Sequence, residues 1–396
     1  MYAQHKSRRG STLVLITLIS VVVLILGLSM MQTSLMARRL AFRDARVIQA
    51  RIAADAGQAM AMFQMNKKLA QEAVWDNSTL PSATNAILPG SMAKYSYTVT
   101  GTPATGFNIL TTGEAGGLQR QSTAIISTYS IFQGIGTKEK VILSSADFDV
   151  IGPGKGNPQN FKVFSNAIDT DSIVLRPNVI FPGDIVVAPG GDIDAIVKGL
   201  DSAKILGEVY NAFLANDIPA IEAPTTYTTT VSSYADAYQE VVSGNVIVDT
   251  INLPNNGVLK ITGSTNLYVT GPLVMNNNAE IIVAPGASLN LYLGDNLEGK
   301  NAGGIISEGQ DATAVKIYGL PGCEEISLKS KTKTYAAILA PDADIKLNNG
   351  GDIYGSVIAK SFEIKNDGTF YFDTNLLKPN IDETEASFTL VRWARQ

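Results

Sequence analysis

The feature that most constrains this chain is an apolar run over residues 10–36 that contains no charged side chain. A helix needs about 20 apolar residues to cross a bilayer, and residues 11–31 are long enough. Only a helix or a closed barrel satisfies the backbone in lipid, so the run predicts a transmembrane helix. A secretory signal peptide has a shorter apolar region that ends at a small-residue cleavage site, and this run has no Ala-x-Ala site.

The helical pattern continues beyond the apolar run, because no proline occurs before Pro81. We therefore predict one helix over residues 11–72. Its apolar residues recur at spacings of three, four or their sums, which places them on one face. This predicted stripe packs either on the protein's own globular domain or on helices of other subunits. The predicted membrane and assembly positions are Leu15, Leu24, Leu40, Ile48, Ile52, Ala56, Ala59 and Phe63.

The start of the chain resembles a type IV prepilin leader. Arg9-Gly10 is followed by Ser11-Thr12-Leu13 and the apolar helix, and small residues fill positions 53–59. The resemblance covers about residues 6–65 and is closest to minor-pilin pilus assembly proteins of the PilX N-terminal type. It implies a leader over residues 1–10 and cleavage by a prepilin peptidase between Gly10 and Ser11. It also implies that other pilins or pilus-assembly proteins are partners.

Two features depart from this family pattern. Leu15 occupies the fifth position after the cut, where major pilins carry a glutamate, so the resemblance favours a tip-located minor pilin or a pseudopilin. Arginines follow the span as well as precede it, and the positive-inside rule alone would place the far end in the cytoplasm. Because the downstream region is typical of exported proteins, we predict a single-pass protein of the cytoplasmic membrane. Its bulk is then in the periplasm or at the cell surface of a bacterium.

The chain after the helix is rich in β patterns. Residues 94–100, 107–110 and 122–131 are rich in Thr, Tyr, Val and Ile and are separated by glycines, which predicts a small antiparallel meander over residues 73–150. A Gly/Pro-rich stretch at 151–158 then marks a linker or domain entry. A long helix followed by a small meander is the order of elements in pilins.

Residues 151–380 show apolar triplets separated by Gly, Asn, Asp and Pro turns, such as 173–175, 281–283 and 289–291. Strands this short and numerous predict a parallel, right-handed β-helix; a β-sandwich is the alternative. Residues 195–214 interrupt the pattern of triplets and are compatible with a helix whose apolar residues are Ile196, Leu200, Val209 and Phe213. Residues 219–238 are predicted to form a long surface excursion. Residues 160–380 also resemble an uncharacterised β-helical domain of bacterial surface and pilus-associated proteins. Residues 381–396 are predicted to be a tail.

The composition excludes several kinds of site. The one histidine, His5, lies in the predicted leader, and Cys323 is the only cysteine. Histidine-based triads, histidine metal sites, thiolate zinc sites and internal disulfides are therefore absent from the exported body. No basic cluster follows the anchor region, which argues against nucleic acid as a partner. We predict no cofactor and no metal, with Ca²⁺ in an acidic turn as the alternative.

Paired aspartates are the remaining candidates for catalysis, because polysaccharide-active enzymes with a β-helix use paired carboxylates. Acids in turns usually have structural roles, so we expect no enzyme. We predict a non-enzymatic pilin-like component that displays a β-helix for adhesion, with surface polysaccharide as a further candidate partner. The alternative is a membrane-anchored polysaccharide-active enzyme or carbohydrate-binding protein. The candidate pairs are Asp147/Asp149, Asp169/Asp171, Asp192/Asp194 and Asp342/Asp344.

Overall fold

The computed structural model describes residues 9–71, 75–102, 106–144, 146–153, 155–212, 215–216, 218–366, 368–377 and 387–395. The helices are α1 (Arg9–Gln71) and α2 (Ile193–Ile196), and 3₁₀ turns occur at Asn77–Thr79, Pro158–Asn160, Ala312–Ala314 and Thr374–Leu377. The strands are β1 (Ser82–Ile87), β2 (Lys94–Thr102), β3 (Gly106–Ala115), β4 (Leu118–Tyr129), β5 (Gly134–Thr137), β6 (Val141–Leu143), β7 (Asp147–Ile151), β8 (Lys162–Ser165), β9 (Ile173–Leu175), β10 (Ile180–Phe181), β11 (Asp184–Val187), β12 (Val197–Lys198), β13 (Lys204–Ile205), β14 (Val209–Asn211), β15 (Thr229–Tyr234), β16 (Tyr238–Val241), β17 (Gly244–Leu253), β18 (Val258–Ile261), β19 (Ser264–Val269), β20 (Leu273–Met275), β21 (Glu280–Val283), β22 (Ser288–Leu293), β23 (Leu297–Gly299), β24 (Gly304–Ser307), β25 (Val315–Gly319), β26 (Glu325–Lys329), β27 (Lys333–Asn348), β28 (Asp352–Lys365), β29 (Thr369–Asp373) and β30 (Ser387–Arg395).

The chain divides into two compact units. The first, which we call the helix–sheet unit, is Met1–Thr128 together with Ser387–Gln396; the second, the β-helix unit, is Tyr129–Ala386. The β-helix unit is therefore inserted in the sequence between β4 and β30. The predicted fold class, mainly β with one long N-terminal helix and a parallel β-helix, is confirmed.

The helix–sheet unit packs the second half of α1 on a five-stranded sheet of order β1-β2-β3-β4-β30. The pairs β1–β2, β2–β3 and β3–β4 are antiparallel, as the meander prediction requires. Alternate residues of β2 and β3 are buried, which is the period-2 pattern of a sheet with one covered face. At about 1.5 Å per residue, α1 is about 95 Å long, far more than this small sheet covers.

The β-helix unit is a stack of rungs joined by parallel pairings, each rung contributing strands to three faces. The first face runs β15-β17-β19-β22-β25-β27-β28-β5-β8-β11-β14, and the second runs β17-β20-β23-β26-β27-β28-β6-β9-β12. The third contains β16-β18-β21-β24, then β28-β29-β7, and β10-β13. Parallel pairing excludes the β-sandwich alternative for these strands; the right-handed sense stays a prediction.

The order of the rungs in space is not their order in sequence. The first rung in sequence, β5 to β7, lies on the last one, because Ile135 pairs with Val357 and Asp147 with Thr369. From β5 the chain coils to one end of the stack at β14. It starts again at the opposite end at β15 and coils back until β28 and β29 meet β5 and β7. We call this junction the seam.

The connection over residues 212–228 joins the two ends of the stack. Asn166 and Asn216 exchange hydrogen bonds of 2.8 and 3.0 Å near one end, and the ring of Tyr227 stacks on Tyr268 near the other, with centroids 5.9 Å apart. Between them, Ile218 and Ile221 pack on an apolar cluster that includes Leu339. Residues 218–228 thus form a strap that covers outward-facing apolar residues of the first face. The excursion predicted over residues 219–238 is wrong in its second half, because Thr229–Tyr234 and Tyr238 belong to β15 and β16, which pair with β17 and β18.

The interior of the β-helix is a continuous apolar core. Interior positions such as Leu291 and Ile345 are fully buried, and most core members are Val, Ile or Leu. At the seam the interior is aromatic instead: Phe161 lies 5.2 Å from Phe372 and 5.9 Å from Phe370, centroid to centroid. Phenylalanines therefore fill the place where the first and last rungs meet.

Three predicted boundaries are corrected. The meander was predicted to extend to residue 150, but β5, β6 and β7 are parallel strands of the β-helix, so the Gly/Pro stretch at 151–158 lies within that unit. The predicted 381–396 tail contains β30, which completes the helix–sheet unit's sheet beside β4. Residues 195–214 hold only the end of α2 and then strands, because Val197, Ile205 and Val209 pair with neighbouring rungs. Phe213 lies outside the described residues.

Candidate assembly and display surfaces

The membrane candidate is the first part of α1. The helix over Leu13–Leu69 is long and apolar enough to cross a membrane, and its most apolar window has a mean hydropathy of 2.9 with no residue buried by the rest of the protein. Leu15 and Leu24 are 57% and 62% exposed. The hydroxyl groups of Thr17 and Thr33 donate to carbonyl oxygens one turn earlier, so neither needs a partner outside the helix. Gly10 and Ser11 lie in the first turn of α1, and His5, Lys6 and Arg8 lie outside the described residues.

The predicted assembly stripe does not pack on the protein's own sheet. Leu40, Ile48, Ile52 and Phe63 are 59%, 56%, 52% and 60% exposed, Ala59 is exposed, and only Ala56 is half-buried. The interpretation that this stripe covers the protein's own domain is wrong. The face that does so consists mainly of small residues, and the sequence analysis did not assign them to packing on the sheet. Its members are Ala50, Ala53, Ala54, Gly57, Gln58, Ala61 and Met65.

Small residues are required on that face because the sheet approaches the helix backbone. A Cβ on Gly113 of β3 would overlap the carbonyl oxygen of Ala50 and the amide nitrogen of Ala54. The buried amide of Gln58 accepts a hydrogen bond from the Ser122 hydroxyl at 3.1 Å, which links the helix to β4. α1 thus has two different apolar faces. The narrower face packs on the protein's own sheet, and the wider face is exposed.

The third face of the β-helix carries a ladder of stacked tyrosines. Tyr335, Tyr354 and Tyr371 lie on adjacent rungs, with successive ring centroids 4.3 Å apart and planes within 11° and 2°. Burial, with the neighbouring Tyr371 and Asp352, raises the pKa of Tyr354, so its hydroxyl stays neutral. The ring of Tyr354 lies between the other two, and Tyr335 is only 8% exposed, so contact with a partner is limited to the partly exposed Tyr354 and Tyr371.

Asparagine ladders mark the turns between the second and third faces. Asn278 donates to Asn256 at 3.1 Å, and Asn301 donates to Asn277 at 3.2 Å, from one rung to the next. Asn256, Asn278, Asn349 and Asn366 have positive φ values of 56–61°, a conformation that asparagine tolerates better than most residues. Asparagine-rich turns recur in the sequence at intervals of about 22–24 residues, which is the length of one rung. The sequence analysis did not use this repeat to predict the asparagine ladders.

A groove of about 810 Å³ runs over the second face and is lined by acids and lysines. Its acids are mostly paired: Glu298 accepts from Lys329 at 2.5 Å, and Glu325 from Lys346 at 2.6 Å. The hydrogen bond from Lys329 lowers the pKa of Glu298, so this carboxylate stays ionised at neutral pH. The lining residues are Asn296, Leu297, Glu298, Pro321, Glu324, Glu325, Ser327, Lys329, Asp342, Asp344 and Lys360.

The aspartate pairs that were candidates for catalysis take part in ion pairs and turns. Asp147 accepts from Arg176 at 2.9 Å, Asp171 from Lys198 at 2.7 Å and Asp342 from Lys138 at 2.9 Å. Asp192 caps α2 by accepting from the amide of Asp194. Among the described residues, no group of three or more His, Cys, Asp or Glu residues is arranged to hold a metal ion.

Cys323 lies fully buried in the core of the β-helix. Burial, with the nearby Asp295, raises the pKa of its thiol to about 12. Because the thiolate is the nucleophilic form, this side chain has the chemistry of a small apolar residue at neutral pH.

Comparisons with known proteins add a partial family match. Residues 215–378 match the model of a domain of unknown function, DUF7305. No curated protein matches the chain. The match covers most of the rungs from β15 to β29 and assigns them no activity.

Solved structures give only distant likenesses. The competence-associated pilin ComZ from Thermus thermophilus is 10% identical with a TM-score of 0.24, over 89% of this chain and 97% of that one. An ice-binding protein from the Antarctic ascomycete Antarctomyces psychrotrophicus is 14% identical with a TM-score of 0.31, over 61% and 93%. An ice-binding protein from an Antarctic Flavobacteriaceae bacterium is 12% identical with a TM-score of 0.24, over 60% and 81%. TM-scores this low carry no argument about what this chain does.

Proposed function

We propose that this protein is a membrane-anchored, pilin-like component of a type IV pilus or related secretion filament that displays its β-helix for surface contact. The observation that carries the proposal is the pair of faces on α1. One face of small residues packs on the protein's own sheet, while Leu40, Ile48, Ile52 and Phe63 remain exposed beyond the uncharged span. An exposed apolar stripe of this length is costly in water and is stabilised when other helices cover it.

In this proposal, a prepilin-type peptidase cuts between Gly10 and Ser11, and the new N-terminus remains in the bilayer. Leu15 provides no carboxylate to pair with a neighbour's amine, so insertion beneath another subunit gains no ion pair. The exported body is also large for repeated packing about a thin core of helices. Both features favour a place at the tip or initiation complex of the filament.

The β-helix acts as a display element and not as an enzyme. In the groove of the second face, Glu298, Glu325 and Asp342 are each paired with a lysine. A glycosidase needs one carboxyl group that stays protonated as general acid, and pairing with lysine favours the opposite state. The third face presents the partly exposed rings of Tyr354 and Tyr371 for adhesion, for which surface polysaccharide is a candidate partner.

Site-specific photo-crosslinking in native membranes and sheared filaments tests the assembly role. A photoreactive residue at Ile48 should give adducts with pilus proteins, whereas one at Arg43, which is exposed and about 140° round the helix from Ile48, should give few. The mass of the mature N-terminus in the same sample reports cleavage after Gly10. Equal adducts at both positions, or copy numbers equal to the major pilin along the shaft, would contradict the proposal.

A further inference from the structure

Directly after the uncharged span, α1 carries arginines on one face. Arg39, Arg43 and Arg46 are spaced i, i+4 and i+7, so they lie on the same side of the helix. The acid in this part of the helix, Asp44, is about 100° further round from Arg43 and faces elsewhere. Within the described residues, none of these three arginines forms an ion pair, and all three are exposed.

These arginines line a groove between α1 and the β3–β4 hairpin. The groove has a volume of about 430 Å³ and is lined by Arg39, Phe42, Arg43, Arg46, Gly116 and Leu118, which we call the arginine groove. No residue in this lining carries a carboxylate. The Arg46 side chain lies against the backbone of Gly116, where a Cβ would meet its Nε at 2.6 Å. Phe42, 68% exposed, adds an apolar surface beside the three guanidinium groups.

The groove lies at the depth of the lipid headgroups if the span is in a bilayer. Residues 10–37 carry no charge and extend about 42 Å as a helix, which matches the roughly 40–45 Å of a bilayer with its headgroups. Cα–Cβ bonds of a helix tilt toward its N-terminus, and the N-terminal end of α1 is the membrane end. The side chains of Arg43 and Arg46 therefore lean back toward the bilayer.

We propose that the arginine groove binds the phosphate of an anionic phospholipid headgroup in the leaflet that α1 leaves. Guanidinium groups bind phosphate oxygens through paired N–H donors, and Phe42 and Leu118 offer apolar contact to the glycerol and the first methylenes. The lining combines three guanidinium groups with the apolar side chains of Phe42 and Leu118. This combination matches a phosphate attached to an acyl glycerol better than it matches the acidic surface of a soluble protein. This inference rests on the proposed membrane anchoring and adds to it a lipid preference and a fixed height of the helix–sheet unit.

Native mass spectrometry of the full chain, purified in detergent with equal amounts of phosphatidylglycerol and phosphatidylcholine, tests this site. The wild type should retain phosphatidylglycerol selectively. R39Q/R43Q/R46Q should lose that selectivity, by about fivefold for each arginine removed, as expected for one basic side chain at an anionic surface. The matched control R51Q/K67Q/K94Q removes three exposed positive charges of the same unit outside the groove and should bind as the wild type does.

Each other outcome is decisive. Equal retention by the wild type and R39Q/R43Q/R46Q, or an equal loss in the control, would overturn the site. Displacement of the lipid by millimolar inorganic phosphate would show that the groove binds free phosphate. Retention of selectivity by R39K/R43K/R46K would show that positive charge alone accounts for the selectivity and that paired guanidinium donors are not needed. Flotation with neutral vesicles separates anchoring from headgroup binding, because the triple variant should still float; if the wild type does not float, the anchoring proposal fails.

Discussion

The two units of this protein differ in how completely they bury their apolar side chains. In the β-helix unit, apolar side chains face inward from three faces, and interior residues such as Leu291, Ile317 and Ile345 are at most 1% exposed. In the helix–sheet unit, α1 covers one side of a small sheet and leaves Leu40, Ile48 and Phe63 more than half exposed. The β-helix therefore buries its apolar interior within its own unit, whereas α1 keeps an apolar stripe that the described residues of the chain leave exposed.

This difference decides where substitutions act. A change inside the β-helix alters the free energy of unfolding of that unit, because its interior is closed. In the proposed assembly, a change on the exposed stripe of α1 alters association with other helices and leaves the folded chain nearly as stable as before. The predictions that follow test this division, beginning with the largest expected effect.

Removal of the first rung should abolish the cooperative fold of the β-helix. The rung β5 to β7 lies between β28–β29 on one side and β8 on the other, so its loss leaves two rungs without a neighbour. We expect a fragment of residues 129–386 to unfold in one cooperative transition by circular dichroism. A fragment of residues 160–386 should be largely unfolded or melt in two separate steps. Equal melting temperatures for both would show that the seam contributes nothing.

A pair of leucine truncations should separate the two units. Leu291→Ala in the fully buried interior should cost about 2–5 kcal/mol of unfolding free energy, through lost burial and a cavity. Leu40→Ala on the exposed stripe should change stability by less than about 0.5 kcal/mol. Denaturant titration of the purified full chain measures both values. A large loss for Leu40→Ala would show that the stripe packs within the chain after all.

Gly113→Val should loosen α1 from its own sheet. The new side chain would overlap the backbone of Ala50 and Ala54, and overpacking of this kind costs about 1–3 kcal/mol. Hydrogen exchange should increase at the amides of residues 50–61 and remain unchanged in the β-helix unit. Gly90→Val is the matched control for added volume, because no atom lies within 4 Å of a Cβ there, although its positive φ adds strain of its own.

The smallest expected effect is the pH dependence of one ion pair on the second face. Lys329 lowers the pKa of Glu298 from its ordinary value of 4.5, so the stabilisation is present above about pH 4.5 and is lost as the pH falls through the folded-state pKa. Glu298→Gln should therefore reduce stability at pH 7 by at most about 1 kcal/mol, since the pair is partly exposed, and by less at pH 3. Glu324→Gln removes an acid of the same groove that forms no ion pair with the described residues, and it should show no such difference. An equal effect of Glu298→Gln at pH 7 and pH 3 would contradict the assignment.

The sequence predicted the features that depend on local patterns. Triplets such as Ile281-Ile282-Val283 became strands with alternating burial, and the uncharged run became the start of α1. The pairing of Ile135 with Val357 could not be predicted, because it joins residues 222 positions apart and no local signal marks the first rung as the neighbour of the last. The helix expected over 195–214 failed because Val197 and Val209 gain more from pairing with adjacent rungs than from helical spacing.

For the candidate surfaces, the sequence identified the apolar stripe of α1 but not which face the protein itself covers. That choice is made by Gly113, which lets the sheet approach the backbone at Ala50 and Ala54 and so selects the small-residue face. The arginine groove also could not be predicted from the sequence. Its second wall, Gly116 and Leu118, comes from a hairpin about 70 residues after Arg46.

The seam places the entrance and the exit of the β-helix side by side. The hydroxyl of Ser356 donates to the carbonyl oxygen of Gly134 at 2.7 Å, and the hydroxyl of Thr374 donates to that of Pro153 at 2.7 Å. A pulling force applied through the two chain ends of this unit therefore acts across the seam, and the rungs at either end of the stack lie outside the load path. A force that enters through a partner held on an outer rung would instead cross the parallel pairings of every rung between that rung and the seam before it reached the chain ends.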